Sequence, residues 1–314
     1  MTLGIDIGGA PLGTSFPAYH DDPAIHDGSL LLIEPGHSLS DLAPGAVPTA
    51  GYAFRNHAFR PAARLLGLTA NDAAALRATL TQGTAWGQAT RSRTDRTAAG
   101  ALQFTVSRVN ANTNVWAKIN APANIVAYAN SRVETYAAVP TKDIFFAALW
   151  TRTLRAGVDT GSDDAAQPFM YRGLNVAGST YRKIMGMSPA GSTGYNNTGN
   201  DEGLFRYDTP GVQPVGEPAL HFVTARFVAQ ALQAVGQLFV SAGNVSGNAT
   251  HDNKSQSFVF ERLHFGTLLT NADPAKALSP QQMLERELAE WTKAHAAGGR
   301  YFNDPAAYDV AGMP

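Results

Sequence analysis

From about residue 100 the apolar side chains of this chain recur at every second position, and few stretches between 100 and 270 have the spacing of a helix. Leu102, Phe104 and Val106 alternate with Gln103, Thr105 and Ser107, the pattern of a strand with one face buried. Val115, Ala117 and Ile119 repeat it. Further strands are expected at residues 124–128, 144–149, 169–174, 181–185, 221–228, 237–240 and 258–265, roughly nine or ten in all with turn-forming residues between them. A parallel sheet needs a crossover helix between successive strands. Residues 229–234 are the one tempting candidate and are short. The expectation is therefore a mostly-β protein, with a sandwich of two antiparallel sheets spanning residues 84–270.

Composition agrees. Only 16% of the 314 residues are charged, against about a quarter in an ordinary globular protein, and 30 Gly and 18 Pro occupy the difference. That suits a turn-rich β chain, and surfaces covered by neighbours in an assembly. An apolar fraction of 44% supplies a core. The net charge of −1 argues against nucleic acid as a partner, because phosphate binding needs clustered cations. The one basic cluster, Arg91, Arg93 and Arg96 beside Asp95, reads as a solvated loop. The absence of cysteine excludes disulfides, thiolate metal sites and cysteine nucleophiles. No basic stretch followed by an apolar one opens the chain. No apolar run approaches the roughly 18 residues of a membrane span, so neither secretion nor membrane insertion is expected.

Three flanking units are expected around the sandwich. Residues 1–50 read as an extended, loop-rich arm with one short buried strand before Pro35-Gly36. An arm of this kind is expected to lie against another subunit. Residues 51–83 read as a helical segment, with Thr69 and Asp72 as a capping box and Pro61 at a helix break or start. Residues 271–314 hold a terminal helix and tail. There Ser279 is the N-cap, Pro280 takes the first helical position and Gln282 completes a capping box. Leu284, Leu288 and Trp291 make the apolar stripe, and Gly298-Gly299 ends the helix.

Two stretches, residues 25–37 (IHDGSLLLIEPGH) and residues 258–304, resemble tailed-phage and prophage tail or baseplate virion proteins. The resemblance implies a concanavalin A-like, or laminin-G-like, sandwich of the jelly-roll kind for the C-terminal half. It also implies a receptor-binding or tail-organising role in the virion. The partners implied are further copies of the chain, most simply as a trimer, other tail or baseplate proteins, and a host cell-surface glycan. Synthesis in the bacterial cytoplasm follows.

The chemical motifs are sparse. Gly4-Ile5-Asp6-Ile7-Gly8-Gly9 looks like the phosphate-binding hairpin of actin-like sugar kinases, but Pro11 interrupts the strand that should follow and no second phosphate loop appears. His20, Asp21, Asp22 and His26 offer metal-ligand chemistry in principle, but a solvated loop is the favoured reading. His221 and His264 sit on strands and read as structural, hydrogen-bonded residues. No GxSxG motif is present, and no strand carries the paired carboxylates of a glycosidase; Glu261 and Glu134 stand alone. No catalytic residue is assigned, which leaves a polysaccharide-degrading enzyme as the alternative reading. The best binding loop is residues 188–203. In it Tyr195 offers a stacking face, and Asn196, Asn197 and Asn200 offer paired donors and acceptors. Asn200, Asp201 and Glu202 present oxygen to Ca²⁺, the only cofactor suggested, though without a known calcium-site spacing. Residues 243–253 look like a long hairpin tip. Trp116 is out of phase with Val115 and Ala117, so it is expected to face outward as a sugar or interface platform.

Overall fold

The structure, a computed structural model, describes residues 22–132, 134–135, 142–158, 169–175, 180–183, 201–208, 215–229, 234–245, 249 and 252–314. In chain order the strands are β1 (Ser29–Ile33), β2 (Ala53–Phe54), β3 (Ala78–Gln82), β4 (Ser92–Arg96), β5 (Leu102–Val106), β6 (Trp116–Asn120), β7 (Glu134–Thr135), β8 (Phe145–Arg155), β9 (Phe169–Asn175), β10 (Thr180–Lys183), β11 (Asp201–Asp208), β12 (Pro218–Ala229), β13 (Ala234–Gly243) and β14 (Ser257–Thr267). The helices are α1 (Phe59–Leu65), α2 (Ala123–Ser131) and α3 (Pro280–His295). One sheet runs β11-β12-β8-β14-β5-β4, with β1 also on β14 and β7 also on β12; the other runs β10-β9-β13-β6-β3-β2. Among the described pairings only the short β7–β12 contact is parallel. The protein is thus mostly β, an antiparallel β-sandwich.

The eight-stranded sheet is buried on both faces. Phe145, Ala147 and Leu149 of β8 pack with Phe104, Phe258 and Phe265, and across the sandwich with Leu80, Ile119, Leu238 and Val240 of the second sheet. Phe146, Ala148 and Trp150 point the other way, into a second cluster with Phe222, Val259, Met283, Leu284 and Tyr301. Helix α3 and the chain after it therefore form a third layer. This double burial is why β8 reads as an uninterrupted apolar run and not as an alternation. Each such aromatic contributes roughly 1.5–3 kcal/mol by leaving water. The predicted cap of α3 is present: the Ser279 side chain accepts from the Gln282 amide and the Gln282 side chain accepts from Ser279.

Several expectations are corrected. Residues 124–128 are helical, within α2. Ile125, Tyr128 and Ala129 are its buried positions, an i, i+3, i+4 set that a strand reading of the same letters misses. Strand β5 is not half-buried; all five residues are buried. The C-terminal tail covers its outer face, and Gln103 accepts from the amides of Ala307 and Tyr308 while donating to the Tyr308 carbonyl. The basic cluster is no loop, because residues 92–96 form β4. There Arg93 pairs with Asp95 and lies 3.9 Å over the Tyr308 ring, and Arg96 donates to the carbonyls of Pro35, Leu42 and Gly100.

The N-terminal segment, where described, packs on its own chain. β1 pairs with β14, and Leu30, Leu31 and Ile33 lie in the core between the sheets. Strands β1, β2 and β3 all precede residue 84, so the sheets draw on segments expected to flank them. Within residues 51–83 the helical content is α1 and a 3-10 helix at Ala70–Leu76, whose Thr69–Asp72 capping box is formed. The expected hairpin tip at residues 243–253 lies partly outside the described residues, and the strands on either side of it, β13 and β14, belong to different sheets and do not pair as a hairpin. Among the described residues no helix is long and apolar enough to cross a membrane.

Candidate functional site

Strand β6 turns Ala117 and Ile119 into the core and Trp116, Lys118 and Asn120 to the outer face of the six-stranded sheet, as a period of two requires. Register extends this row onto its neighbours. Thr81 and Ser241 flank Lys118, Thr79 and Phe239 flank Asn120, and Gly243 lies opposite Trp116. The missing side chains beside Trp116 matter. A Cβ on Gly83 would fall 2.7 Å from the Trp116 ring nitrogen, and one on Gly243 would fall 2.9 Å from its Cα. Gly243 also holds φ +81, a conformation that favours glycine. The half-buried indole thus lies over bare backbone.

The Lys118 ammonium stands 4.8 Å from the Trp116 ring centroid and 4.6 Å from that of Phe239, within cation–π range. Burial lowers the pKa of this lysine. The Asn120 side-chain amide donates to the Thr81 hydroxyl at 2.8 Å and to the Thr79 carbonyl at 3.2 Å. Helix α2 forms the facing wall. Its inner positions plug the core, while Ala123, Val126, Ala127 and Asn130, at helical spacing, line a groove of about 770 Å³ with the β3–β6 strip. One wall is small and apolar, and the other carries an indole, hydroxyls, an amide and an ammonium.

Of the residues singled out by sequence, Trp116 lies in this groove. Tyr195, Asn196, Asn197 and Asn200 fall outside the described residues. Asp201 opens β11, opposite Phe227 at the edge of the eight-stranded sheet, so it is a strand residue and not a loop residue, and it belongs to the other sheet. Lys118, Asn120, Thr79 and Thr81 were missed. Their signal was the phase already used for Trp116, carried two and four residues along the strand and across the register.

A second cluster lies on the far side of the eight-stranded sheet. Arg262 is buried. Its guanidinium meets Asp22 at 2.5 and 3.2 Å, Glu34 at 3.3 Å and Glu287 at 3.5 Å, and stacks 4.5 Å over the Trp150 ring. Glu287 contacts the Nδ1 of His264 at 2.5 Å, and Ser29 Oγ lies 2.8 Å from the other ring nitrogen. Arg300 pairs with Glu34, and His295 lies 3.0 Å from Glu261. Burial raises the Asp22 pKa, but the Arg262 charge and hydrogen bonds outweigh it and hold it at about 2. Glu287 is also lowered, the charges of Arg262 and His264 overcoming its burial.

The cleft beside this cluster measures about 580 Å³, and its carboxylates face cations of the same chain. His264 is structural, as its strand position predicts. Asp22 is committed to Arg262, and His26 accepts from the Gly28 amide, so these two are packed residues and not a solvated loop. Glu261 is held by His295. Among the described residues no group of three or more His, Asp or Glu is placed to hold a metal ion. The two stretches that carry the virion-protein resemblance, residues 25–37 and 258–304, meet here. They form one seam of the fold through β1–β14 pairing and the Arg262 cluster.

No protein-family model matches the chain, and no curated protein matches it. Three solved structures align with most of it at low similarity. The structure of an arabinose-bound α-L-arabinofuranosidase, MgGH51, is 10% identical over 86% of this chain and 31% of its own, with a TM-score of 0.30. The receptor binding domain of botulinum neurotoxin type G is 7% identical over 84% of this chain and 51% of its own, with a TM-score of 0.34. The binding domain of Paraclostridial Mosquitocidal Protein 1 is 7% identical over 84% and 53%, with a TM-score of 0.34. The chain spans about a third to about half of these structures.

Proposed function

We propose that the chain is a lectin-like binding module that holds a glycan in the groove beside Trp116 and performs no chemistry on it. The observation that carries this reading is the two-sided character of the groove. The indole and the Ala123, Val126 and Ala127 face of α2 offer apolar contact to the C–H face of a sugar ring. Asn120, Asn130, Thr79 and Thr81 bring donors and acceptors for hydroxyl groups. Glycoside hydrolysis needs two flanking carboxylates, and the described residues lining the groove include none. The described lining residues likewise offer no carboxylate to Ca²⁺.

The proposed setting is a bacteriophage tail or baseplate, in a homo-oligomer among other tail proteins. The resemblance of residues 25–37 and 258–304 supports it, and repeated copies make weak individual sites sufficient for attachment. A glycan array read with the wild-type chain and with Trp116→Ala tests the binding function. A small set of glycans is bound by the wild type and lost in the variant, while the melting curves stay alike. Silence across the array, or signals indifferent to Trp116, contradicts the reading.

A further inference from the structure

We propose that the groove takes an oligosaccharide of at least two linked units laid along β6, with one ring on Trp116 and a neighbouring unit held through its hydroxyls by Asn120 and Thr81. This rests on the glycan-binding reading above and names its ligand class.

The spacing of the two contact points carries the inference. The Gly83 amide donates to the Trp116 carbonyl, and the indole nitrogen lies beside Gly83, 2.7 Å from where a Cβ would stand. The ring is thus drawn across towards β3 at its own pairing position. Thr81 lies two residues from Gly83, and Thr79, which is opposite Asn120, lies four residues away. At about 3.4 Å per residue these steps are about 7 and 13 Å. The Asn120 amide, bonded to both threonines, lies between those limits. A six-membered ring with bonds of about 1.5 Å is roughly 3 Å across, and about 6 Å with a hydroxyl oxygen on each side. One sugar centred on the indole therefore reaches about 3 Å along the groove, or about 6 Å counting a hydrogen bond. It falls short of the Asn120–Thr81 pair. The facing wall is also longer than one ring. Ala123 and Asn130, seven residues apart on α2, both line the groove, a span of about 10 Å. The volume of about 770 Å³ lies in the upper half of the range for drug-sized ligands, about 300–1,000 Å³.

The second contact point has a defined chemistry. The Asn120 amide nitrogen donates to the Thr81 hydroxyl at 2.8 Å and to the Thr79 carbonyl at 3.2 Å. These bonds use its hydrogens and leave its carbonyl oxygen as an acceptor. The Thr81 oxygen accepts from Asn120, so its own hydrogen remains to donate, and the Thr81 side chain is exposed. An acceptor and a donor side by side match two neighbouring hydroxyls of one sugar, the first donating to Asn120 and the second accepting from Thr81. A sugar that lacks either hydroxyl, or carries it as an ether or ester, loses one of the two bonds. The stacking end makes no such demand, because an indole face meets a ring through its C–H surface.

Titration calorimetry with the full chain tests this. The probes are glucose, galactose, mannose and N-acetylglucosamine, each with its linear oligomers of two to six units. In at least one series the affinity is expected to rise roughly tenfold between one and three units and to level off beyond. Thr81→Val and Asn120→Leu remove most of that rise and leave the weak binding of the single sugar, whereas Trp116→Ala weakens both. Single sugars bound as tightly as trimers, with the dependence on Trp116 retained, overturn the two-point ligand but leave the glycan-binding reading standing. A rise with length that is indifferent to Thr81 and Asn120 does the same. No binding by any member overturns both. If Asn120→Leu does not fold, Thr81→Val and the wild-type length series still decide the matter.

Discussion

Asp22 and Arg262, 240 residues apart in the chain, meet as a two-pronged ion pair at 2.5 and 3.2 Å in the interior of the protein. The guanidinium is shared with Glu34 and Glu287, so one side chain of β14 ties the N-terminal segment to the terminal helix. Isolated buried ion pairs add little net stability, but breaking one from a single side is costly because the other charges stay buried.

Arg262→Met is therefore expected to destabilise the protein by roughly 3–5 kcal/mol. Urea unfolding gives the value. Limited proteolysis reports whether residues 22–40 become the first site of cleavage. A loss below about 1 kcal/mol contradicts the role assigned to the cluster.

Acid is expected to destabilise the protein in two stages. His26 is lowered to about 3, by burial first and then by the charges of His264 and Arg286. His57 is lowered to about 3 by burial and then by His37, whose ring lies 4.3 Å away. Both bind protons more readily unfolded, near pH 6.5, so their stabilisation is complete above that pH. It is lost as pH falls from 6.5 towards 3, by up to about 1.4 kcal/mol per pH unit for each histidine. Asp22, held at about 2 against an ordinary 3.8, adds its own loss below about pH 4. Urea midpoints measured between pH 7.5 and 4 should decline, and less steeply in the double variant His26→Gln/His57→Gln. A flat profile, or equal slopes in the two proteins, contradicts this.

Gly266→Ala is expected to cost roughly 1–3 kcal/mol. A Cβ at this position of β14 would sit 2.4 Å from the Gly28 carbonyl oxygen and 2.7 Å from the Phe146 ring, where the backbone leading into β1 pairs closely alongside β14. A melting temperature unchanged from wild type would show that this pairing tolerates the methyl group.

Gln103→Leu keeps the size of the side chain but strands the amides of Ala307 and Tyr308 and the Tyr308 carbonyl. An expected loss of roughly 0.5–1.5 kcal/mol follows from removing the hydrogen bonds of these part-buried groups. Hydrogen exchange should rise at residues 305–314. Unchanged protection there means that the tail does not depend on this side chain.

Local pattern made part of this legible and distance hid the rest. The alternation at residues 102–106, the apolar run of β8 and the cap at Ser279 each depend on neighbours within a few positions, and the corresponding elements are where they were expected. The outward phase of Trp116 was legible for the same reason. α2 was misread because Ile125, Tyr128 and Ala129 fit a helix face while the intervening letters also suit a short strand. The burial of Gln103 depends on residues about two hundred positions away. The Arg262 cluster draws on Asp22, Glu34 and Glu287, which no window in the sequence brings together. Lys118 and Thr81 became a site only once the β3–β6 register set them side by side.

The most direct test is a crystal structure of the chain with the tightest-binding glycan. The account predicts a sugar ring within about 4 Å of the Trp116 indole, between β6 and α2. Sugar density in the cleft beside Arg262 and Arg300, or anywhere else with the Trp116 groove empty, would contradict it.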